Sequence, residues 1–600
     1  MIVRQVAAVL VILTLALAAP GGAFSCPAQI QLDLRPSDPR PRGWWSCAER
    51  WVWAKTLRGE IADFNALYGI VLDPRAEDDK AWANTKTPRR LGERFLVDVL
   101  TMLEVADRRL HHGVRIEGAW LDKDVDLSGI VFDRPLRLET SRFAGKFSLE
   151  GATFGGLVSL NGSRFEERVL MTAMEVRGDL LLRNTVFLGE ATLRSSRIDG
   201  LVDFTGANLN QTLDMENIHV KQSLFLSDKA TFHGEVRLHF ANIEGVIQMN
   251  DSQFDNNLIM EGTQVGHHVL LRWCATFNGE VNLSGLKAGG SVVTTEAIFE
   301  ANVSLTGADV KALIIAGTAF QKGVLLTGAN VDRLVLYPDD VSPHPCESDN
   351  DRLTTWGSPG LVLRDASIQI IEDSLHTVKD LEYNPWPPTQ GLLHLDGLYY
   401  AGKGSFRTGR ASPFTSWSIA LDRRAPRAER SSDWYVEWLS RDAHYSRQAY
   451  QQLATIFRLA GENDKANDIL HASRDRELWE SWRKSNWPDF GRIGLLKLTI
   501  GYGIGPGYFW AVIWAALLTS LGAWLLRTSG NETARSKGLP WCWWASLDWM
   551  LPFVTLDENH SKTVIALTGA RLHWFYFQAL MGYVLAAFIA AGLAGLTQGA

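Results

Sequence analysis

Between residues 132 and 337 one pattern of apolar and polar positions repeats without a break. A small residue, a spacer, a large apolar residue, three spacers, an apolar residue, a spacer and a Leu or Met follow one another. The unit returns about every eleven residues: Ser141, Phe143, Phe147, Leu149, then Ala152, Phe154, Val158, Leu160. Farther along it reads Phe165/Val169/Met171, Phe232/Val236/Leu238 and Phe320/Val324/Leu326. Apolar residues two apart within each half-unit show the alternation of a strand rather than the spacing of a helix. An eleven-residue period also describes a right-handed helical coiled coil. Gly two residues after the large apolar position (Gly145, Gly178, Gly189, Gly234, Gly279) argues against that, because it weakens a helix and suits a tight turn. The segment reads as short strands and sharp corners.

Sorting the units into alternate sets gives the longer period. One set is Phe143, Phe165, Phe187, Leu209, Phe232, Phe254, Phe277, Phe299, Phe320; the other runs Phe132, Phe154, Val176, Ile198, Val220, Ile243, Val265, Ala288, Val310, Val331. Like side chains therefore recur every 22 residues or so, as in a solenoid whose coil holds two units and carries a Phe ladder on one inner wall. Roughly nine coils stacked at strand spacing predict a rod about 43 Å long. Such a rod buries its apolar rows only against itself, so its ends need caps.

The flanks read differently. Residues 1–25 have a positive start at Arg4, an apolar stretch from Val6 to Ala19 and a small-residue Gly21-Gly22-Ala23 context, which predicts an export signal or signal anchor. Residues 26–115 are expected to form a helical cap, with Leu91, Phe95, Val99 and Leu103 as its apolar stripe. The solenoid is assigned to 116–372 and an irregular linker to 373–430. A helical hairpin follows at 431–485, with Tyr450, Leu453 and Phe457 on one stripe and Gly461 at the turn. Residues 486–600 read as a membrane domain, with spans at 508–526 and 574–596. Trp541, Trp543, Trp544 and Trp549 crowd between the spans, as at a bilayer interface. The stretch from Trp541 to His560 is too short to cross and suits a re-entrant helix and loop.

Composition excludes more than it proposes. A net charge of −7, with both signs interspersed along the coils, gives no footprint for a nucleic-acid partner. Cys26, Cys47, Cys274, Cys346 and Cys542 contain no CxxC or finger spacing, so no zinc site is expected. Export would let Cys26 and Cys47 pair, although spacing leaves that open. His111-His112 and His267-His268 are taken as surface or corner residues. The adjacent acids Glu166-Glu167 and Asp557-Glu558 read as solvated surface. Gly402-x-Gly404 lacks the Lys-Ser/Thr of a phosphate loop. Thr499-Ile500-Gly501-Tyr502-Gly503 spells a potassium-filter pentapeptide, but it precedes the first span, whereas a filter must lie between two spans. No catalytic, cofactor-binding or metal-ligating residue is assigned.

GATF, GANL, GADV and GANV resemble the signature of pentapeptide-repeat proteins, which implies a right-handed quadrilateral parallel β-helix. VRIEGAWLDKDVDLSG, LLHLDGLYY, QAYQQLATIFRLAGENDKANDIL, TIGYGIGPGYFWA and SLDWMLPFVTLD resemble a bacterial family of pentapeptide-repeat membrane proteins often labelled membrane-associated oxidoreductases. No GxGxxG after a strand, redox Cys pair, GxSxG or HExxH accompanies that label here. The sequence therefore predicts a non-catalytic, exported scaffold without a cofactor. It would sit in the inner (cytoplasmic) membrane with its bulk on the extracytoplasmic side, would bind an unknown protein partner, and would self-associate through its membrane domain. A two-helix pore is the alternative and an oxidoreductase the second alternative.

Overall fold

A computed structural model describes residues 26–593, except 27–28, 31, 33, 35–37, 77–78, 85, 106–111, 338–353, 374–375, 379–380, 401–405, 408–429, 506–508 and 552–553. The expected export signal and the Gly402-x-Gly404 loop lie outside the described residues, as does most of the expected linker. The chain divides into two units, 1–387 with 406–425, and 388–405 with 426–600.

The first unit is a parallel β-solenoid of about ten turns. Each coil contributes four short strands, and each strand pairs in parallel with its counterpart one coil on. Phe143 pairs with Phe165 and Phe165 with Phe187 on one wall; Phe147 pairs with Val169 on the next. Phe132 pairs with Phe154, and Leu136 with Val158, on the remaining two ladders. The turn count exceeds the nine counted over the repeat at 132–337 because coils at Trp120–Leu121 and Thr355–Trp356, inside the assigned 116–372, also join the stack. At the strand spacing the rod is about 48 Å long.

The aromatic column is stacked as the period predicts. Phe143 and Phe165 have centroids 4.4 Å apart, Phe254 and Phe277 5.0 Å, and Phe277 and Phe299 4.8 Å with planes 6° from parallel. Trp356 adds a last rung 5.2 Å from Phe320. Leu209 interrupts the column, and Phe204, at a position held by Leu160 and Leu182 in the preceding coils, fills toward Phe187 at 6.3 Å.

Two kinds of corner close each coil. One holds a residue with positive φ every eleven positions or so: Gly151, Gly162, Ala173, Asn184, Ser195, Gly206, Asn217. The other holds the Gly that follows the large apolar residue, and its φ is ordinary. A Cβ at Gly279 would sit 2.3 Å from the backbone carbon of Asn256 in the coil before. These glycines stand at the tight corners that their spacing suggested, and their missing side chain serves the close approach of successive coils.

Late in the rod the strands lengthen to Lys287–Val293, Asp309–Ala316 and Asn330–Tyr337. Alternation yields there to continuous apolar runs. Inward Val292, Leu313 and Leu334 are buried, and so are Leu270, Val293, Ile314 and Val335, which form a separate apolar cluster. Continuous apolar runs are what a strand covered on both faces requires.

The N-terminal cap is built on helices α1 (Cys47–Leu57), α2 (Phe64–Tyr68), α3 (Asp79–Trp82) and α4 (Glu93–Val105). Leu91, Phe95 and Val99 are buried. Strand Ala62–Asp63 pairs with Ile116–Glu117, and Trp120 exchanges backbone hydrogen bonds with Arg89 and Leu91, so the first coil does not end in bare edges. Buried Arg89 donates to Asn65 and to the Ile70 carbonyl, locking the cap loops together. Cys26 and Cys47 are joined in a disulfide that ties the chain to the start of α1.

The second unit is helical: α5 (Ser432–Ser440), α6 (Arg447–Leu459), α7 (Asn463–Arg483), α8 (Trp487–Ile500), α9 (Phe509–Arg527), α10 (Glu532–Met550), α11 (Glu558–Ile565) and α12 (Ala570–Leu593). Tyr450, Leu453 and Phe457 are buried and Gly461 turns the chain at φ 81°. Arg476 on α7 donates to the carbonyls of Leu439 and Asp442 at the C-terminal end of α5. Among the described residues, one helix, α9, is long and apolar enough to cross a membrane, not the two expected. The second run falls on α12, whose first half carries Arg571, His573, Tyr576 and Gln578, and its last residues lie outside the described ones.

Candidate functional site

The C-terminal helices bury an apolar cluster of Leu526, Cys542, Ala545, Val564 and Phe575, yet leave many of their large apolar side chains exposed. On α9, Phe509, Trp510, Val512, Ile513, Leu517, Leu521 and Trp524 are exposed, whereas Ala511, Thr519 and Ala523 are buried. On α12, Tyr576, Phe577, Leu580 and Val584 are exposed while Gln578 is fully buried. Polar groups therefore meet inside. Gln578 Nε2 donates to the Ser546 carbonyl at 3.0 Å and to Ser546 Oγ at 2.8 Å. Gly522 allows this crossing, since a Cβ there would lie 2.2 Å from Ser546 Oγ. Thr519 Oγ1 sits 3.9 Å from the sulfur of Met550.

A second polar group closes the loop after α10. Asp548 and His560 are 4% and 7% exposed, with His560 Nδ1 2.9 Å from Asp548 Oδ2. The same carboxylate accepts backbone N–H bonds from Leu556 at 2.7 Å and Asp557 at 3.1 Å. Trp541 meets the imidazole edge-on, with centroids 4.9 Å apart. Asp548 thus ties the returning loop to the helix by charge-assisted hydrogen bonds. Helix α10 changes direction at Gly538 (φ 82°), two residues before Pro540, which leaves Leu539–Met550 as its apolar half.

The residues singled out by the sequence stay apart. Gly501 caps α8 in the left-handed region, and the Tyr502 hydroxyl donates to Asp475 at 2.6 Å, so Thr499–Gly503 is a turn between α8 and α9 rather than a filter. His111 lies outside the described residues. His267 and His268 stand at a corner with rings 6.5 Å apart, and His268 accepts the Ser291 N–H at 3.0 Å. Burial, then the neighbouring His267 and Arg272, hold the His268 pKa below its usual value. Glu166 is not merely solvated: Arg142 reaches it at 2.5 Å. Asp557 caps α11 through the Asn559 N–H, and Glu558 is paired with Lys562. Along the rod, Lys221–Asp199, Lys311–Asp332, Arg183–Asp203 and Arg194–Glu216 alternate sign and leave no one-signed stripe on these walls. Among the described residues no group of three or more His, Cys, Asp or Glu could hold a metal ion.

No protein-family model, curated protein or solved structure matches this chain. The parallel solenoid accords with the pentapeptide-repeat resemblance at the level of architecture; the oxidoreductase label receives no support. Sequence reasoning missed the Ser546–Gln578 and Asp548–His560 contacts. The available signal was a lone Asp and a lone Gln inside otherwise apolar stretches, where an unpaired polar group is costly.

Proposed function

We propose that the protein is a non-catalytic scaffold, anchored in the inner membrane by its C-terminal helices. Its solenoid, read as right-handed and four-walled, stands outside the cytoplasm and presents its walls to a protein partner. The observation that carries the anchoring is the inverted bundle: apolar faces outward, Ser546, Gln578, Thr519 and Asp548 inward. In water that arrangement leaves a wide apolar surface uncovered, whereas lipid would cover it while Gln578 Nε2 and Asp548 keep their hydrogen bonds inside. The Cys26–Cys47 disulfide supports an oxidising compartment for the rod. Long solenoid walls of mixed charge suit protein recognition, and self-association through the membrane helices belongs to the same reading.

The test uses the full chain in cells. The protein should resist extraction by alkaline carbonate and yield only to detergent. A cysteine placed at exposed Glu300 should react with a membrane-impermeant maleimide before lysis. A Glu300→Cys variant that stays inert until the cells are opened would place the rod in the cytoplasm and end the proposal of export.

One observation favours a pore as the second reading. The apolar half of α10, at 1.5 Å per residue, spans about 18 Å, too little to cross a bilayer, and it lies between α9 and α12 in sequence. Currents from purified protein in planar bilayers, lost on Gln578→Leu, would favour the pore over the scaffold.

A further inference from the structure

Helix α8 carries a surface that the anchoring reading leaves unused. Trp487, Leu495 and Leu498 are 61%, 61% and 62% exposed, and at 100° per residue they fall within about 80° of one another on the helix. The opposite side packs inward through Ile493. Trp479 and Trp482, with centroids 4.8 Å apart, extend the exposed apolar surface back onto α7. At the other end, Trp514 Nε1 donates to the Leu498 carbonyl at 2.8 Å, which joins α8 to the exposed apolar face of α9.

We propose that α8 lies in the headgroup layer of the bilayer that α9 crosses, with Trp487, Leu495 and Leu498 at the acyl boundary; this rests on the anchoring reading. The occupant of this face is lipid for three reasons. The face is continuous with that of α9. Its aromatic residue is Trp, as are those on the adjoining α7, the type enriched where one end of a side chain is wet and the other apolar. The charges beside it are largely paired: Arg492 lies 3.3 Å from Asp489 and Lys497 2.8 Å from Asp475, while Lys484 at 3.6 Å and Arg483 at 4.0 Å share Glu480. Such local pairing leaves only a small positive excess, and it makes zwitterionic headgroups sufficient. Apolar area rather than charge then sets the depth of the helix.

Spin labels on Leu498→Cys and Leu517→Cys, each in the full chain in phosphatidylcholine vesicles, test this by collision with oxygen and with a water-soluble nickel chelate. The Leu517 label should be oxygen-rich and nickel-poor. The Leu498 label should be intermediate, nearer the surface, and unchanged when anionic lipid is added. If Leu517 reads as lipid while Leu498 reads as open water, α8 is not interfacial and only this inference fails. If Leu498 is shielded from both reagents, protein or a second copy covers it, and the inference fails again. Should both labels report water, the anchoring reading falls with it.

Discussion

Phe277 offers the sharpest test of the rod, because it is fully buried and stacked on both sides, 5.0 Å from Phe254 and 4.8 Å from Phe299. Truncation to Ala removes the ring without letting the coils close over it, since the Thr276 and Asn278 N–H groups remain bonded to the Ser252 and Phe254 carbonyls one coil back. Phe→Ala in a core that cannot collapse costs about 3–5 kcal/mol. A Phe277→Leu change costs less, about 1–1.5 kcal/mol, since Leu209 already occupies the same column between Phe187 and Phe232. Each 1.4 kcal/mol is a factor of ten, so the Ala variant should raise local opening by about 10²- to 10³-fold. Hydrogen exchange on the intact protein in detergent reads this directly, comparing peptides from 252–304 with a reference from 141–192. In a stack whose coils touch only their neighbours, the acceleration should be confined to the coils around 277. Equal exchange for the Ala and Leu variants would refute the column as the source of stability. Uniform acceleration along the rod would refute the nearest-neighbour account.

The corners should respond in opposite ways. Gly279→Ala drives a Cβ into the backbone of Asn256 and should lower the melting temperature or prevent folding, whereas Gly307→Asn (φ 65°, no atom within 4 Å) should cost less than about 1 kcal/mol, as Asn184 and Asn217 already hold that conformation. Asp442 supplies a pH test. Burial raises its carboxyl to about 6, against weaker lowering by the His444 and Leu395 N–H groups. A raised folded pKa means stability is full below the unfolded value near 3.8 and is lost as pH rises through 6, a difference of about 2–3 kcal/mol. Thermal melts from pH 4 to 7 should therefore fall more steeply for the wild type than for Asp442→Asn, and parallel curves would show that the carboxyl ionises freely.

The rod was legible because its information is periodic. Each rung announces the next one 21 to 23 residues on, and the stacked geometry adds little beyond the rung at Trp356, which residues 338–353 separate from Phe320. The spacing of the corner glycines announced tight corners but not why glycine is needed there, which only the coil beneath Gly279 shows. The C-terminal contacts were hidden for a different reason. Ser546 and Gln578 are 32 residues apart on helices without shared periodicity, and Asp548 meets His560 only because the loop folds back. The kink at Gly538 was not read from the sequence, although Pro540 stands two residues on, and its effect, cutting the apolar half of α10 below spanning length, follows from where the helix turns.

Buried polar groups separate the environments of the two units. Inside the solenoid buried hydroxyls serve the backbone: Ser163 Oγ donates to the Leu138 carbonyl at 3.0 Å and accepts the Ser141 N–H at 3.1 Å, and Ser196 does the same at 2.5 and 3.1 Å for Met171 and Met174. Each one satisfies a corner that strand pairing cannot reach, while buried charges such as Arg142 and Asp203 are paired, with Glu166 and Arg183. In the C-terminal bundle the backbone satisfies itself along the helices, so its buried side chains bond across them: Gln578 to Ser546, Asp548 to His560, and Trp549 Nε1 to the Phe575 carbonyl at 2.8 Å. The apolar cluster around Leu526, Val564 and Phe575 gives the bundle a core, but leaving Leu517, Trp524 and Leu580 outside is not what the hydrophobic effect favours in water. Acyl chains around those side chains would remove the penalty, and interhelical hydrogen bonds and close contacts such as Gly522 over Ser546 would then hold the helices together. The contrast between the two units is the physical reason for proposing a membrane anchor.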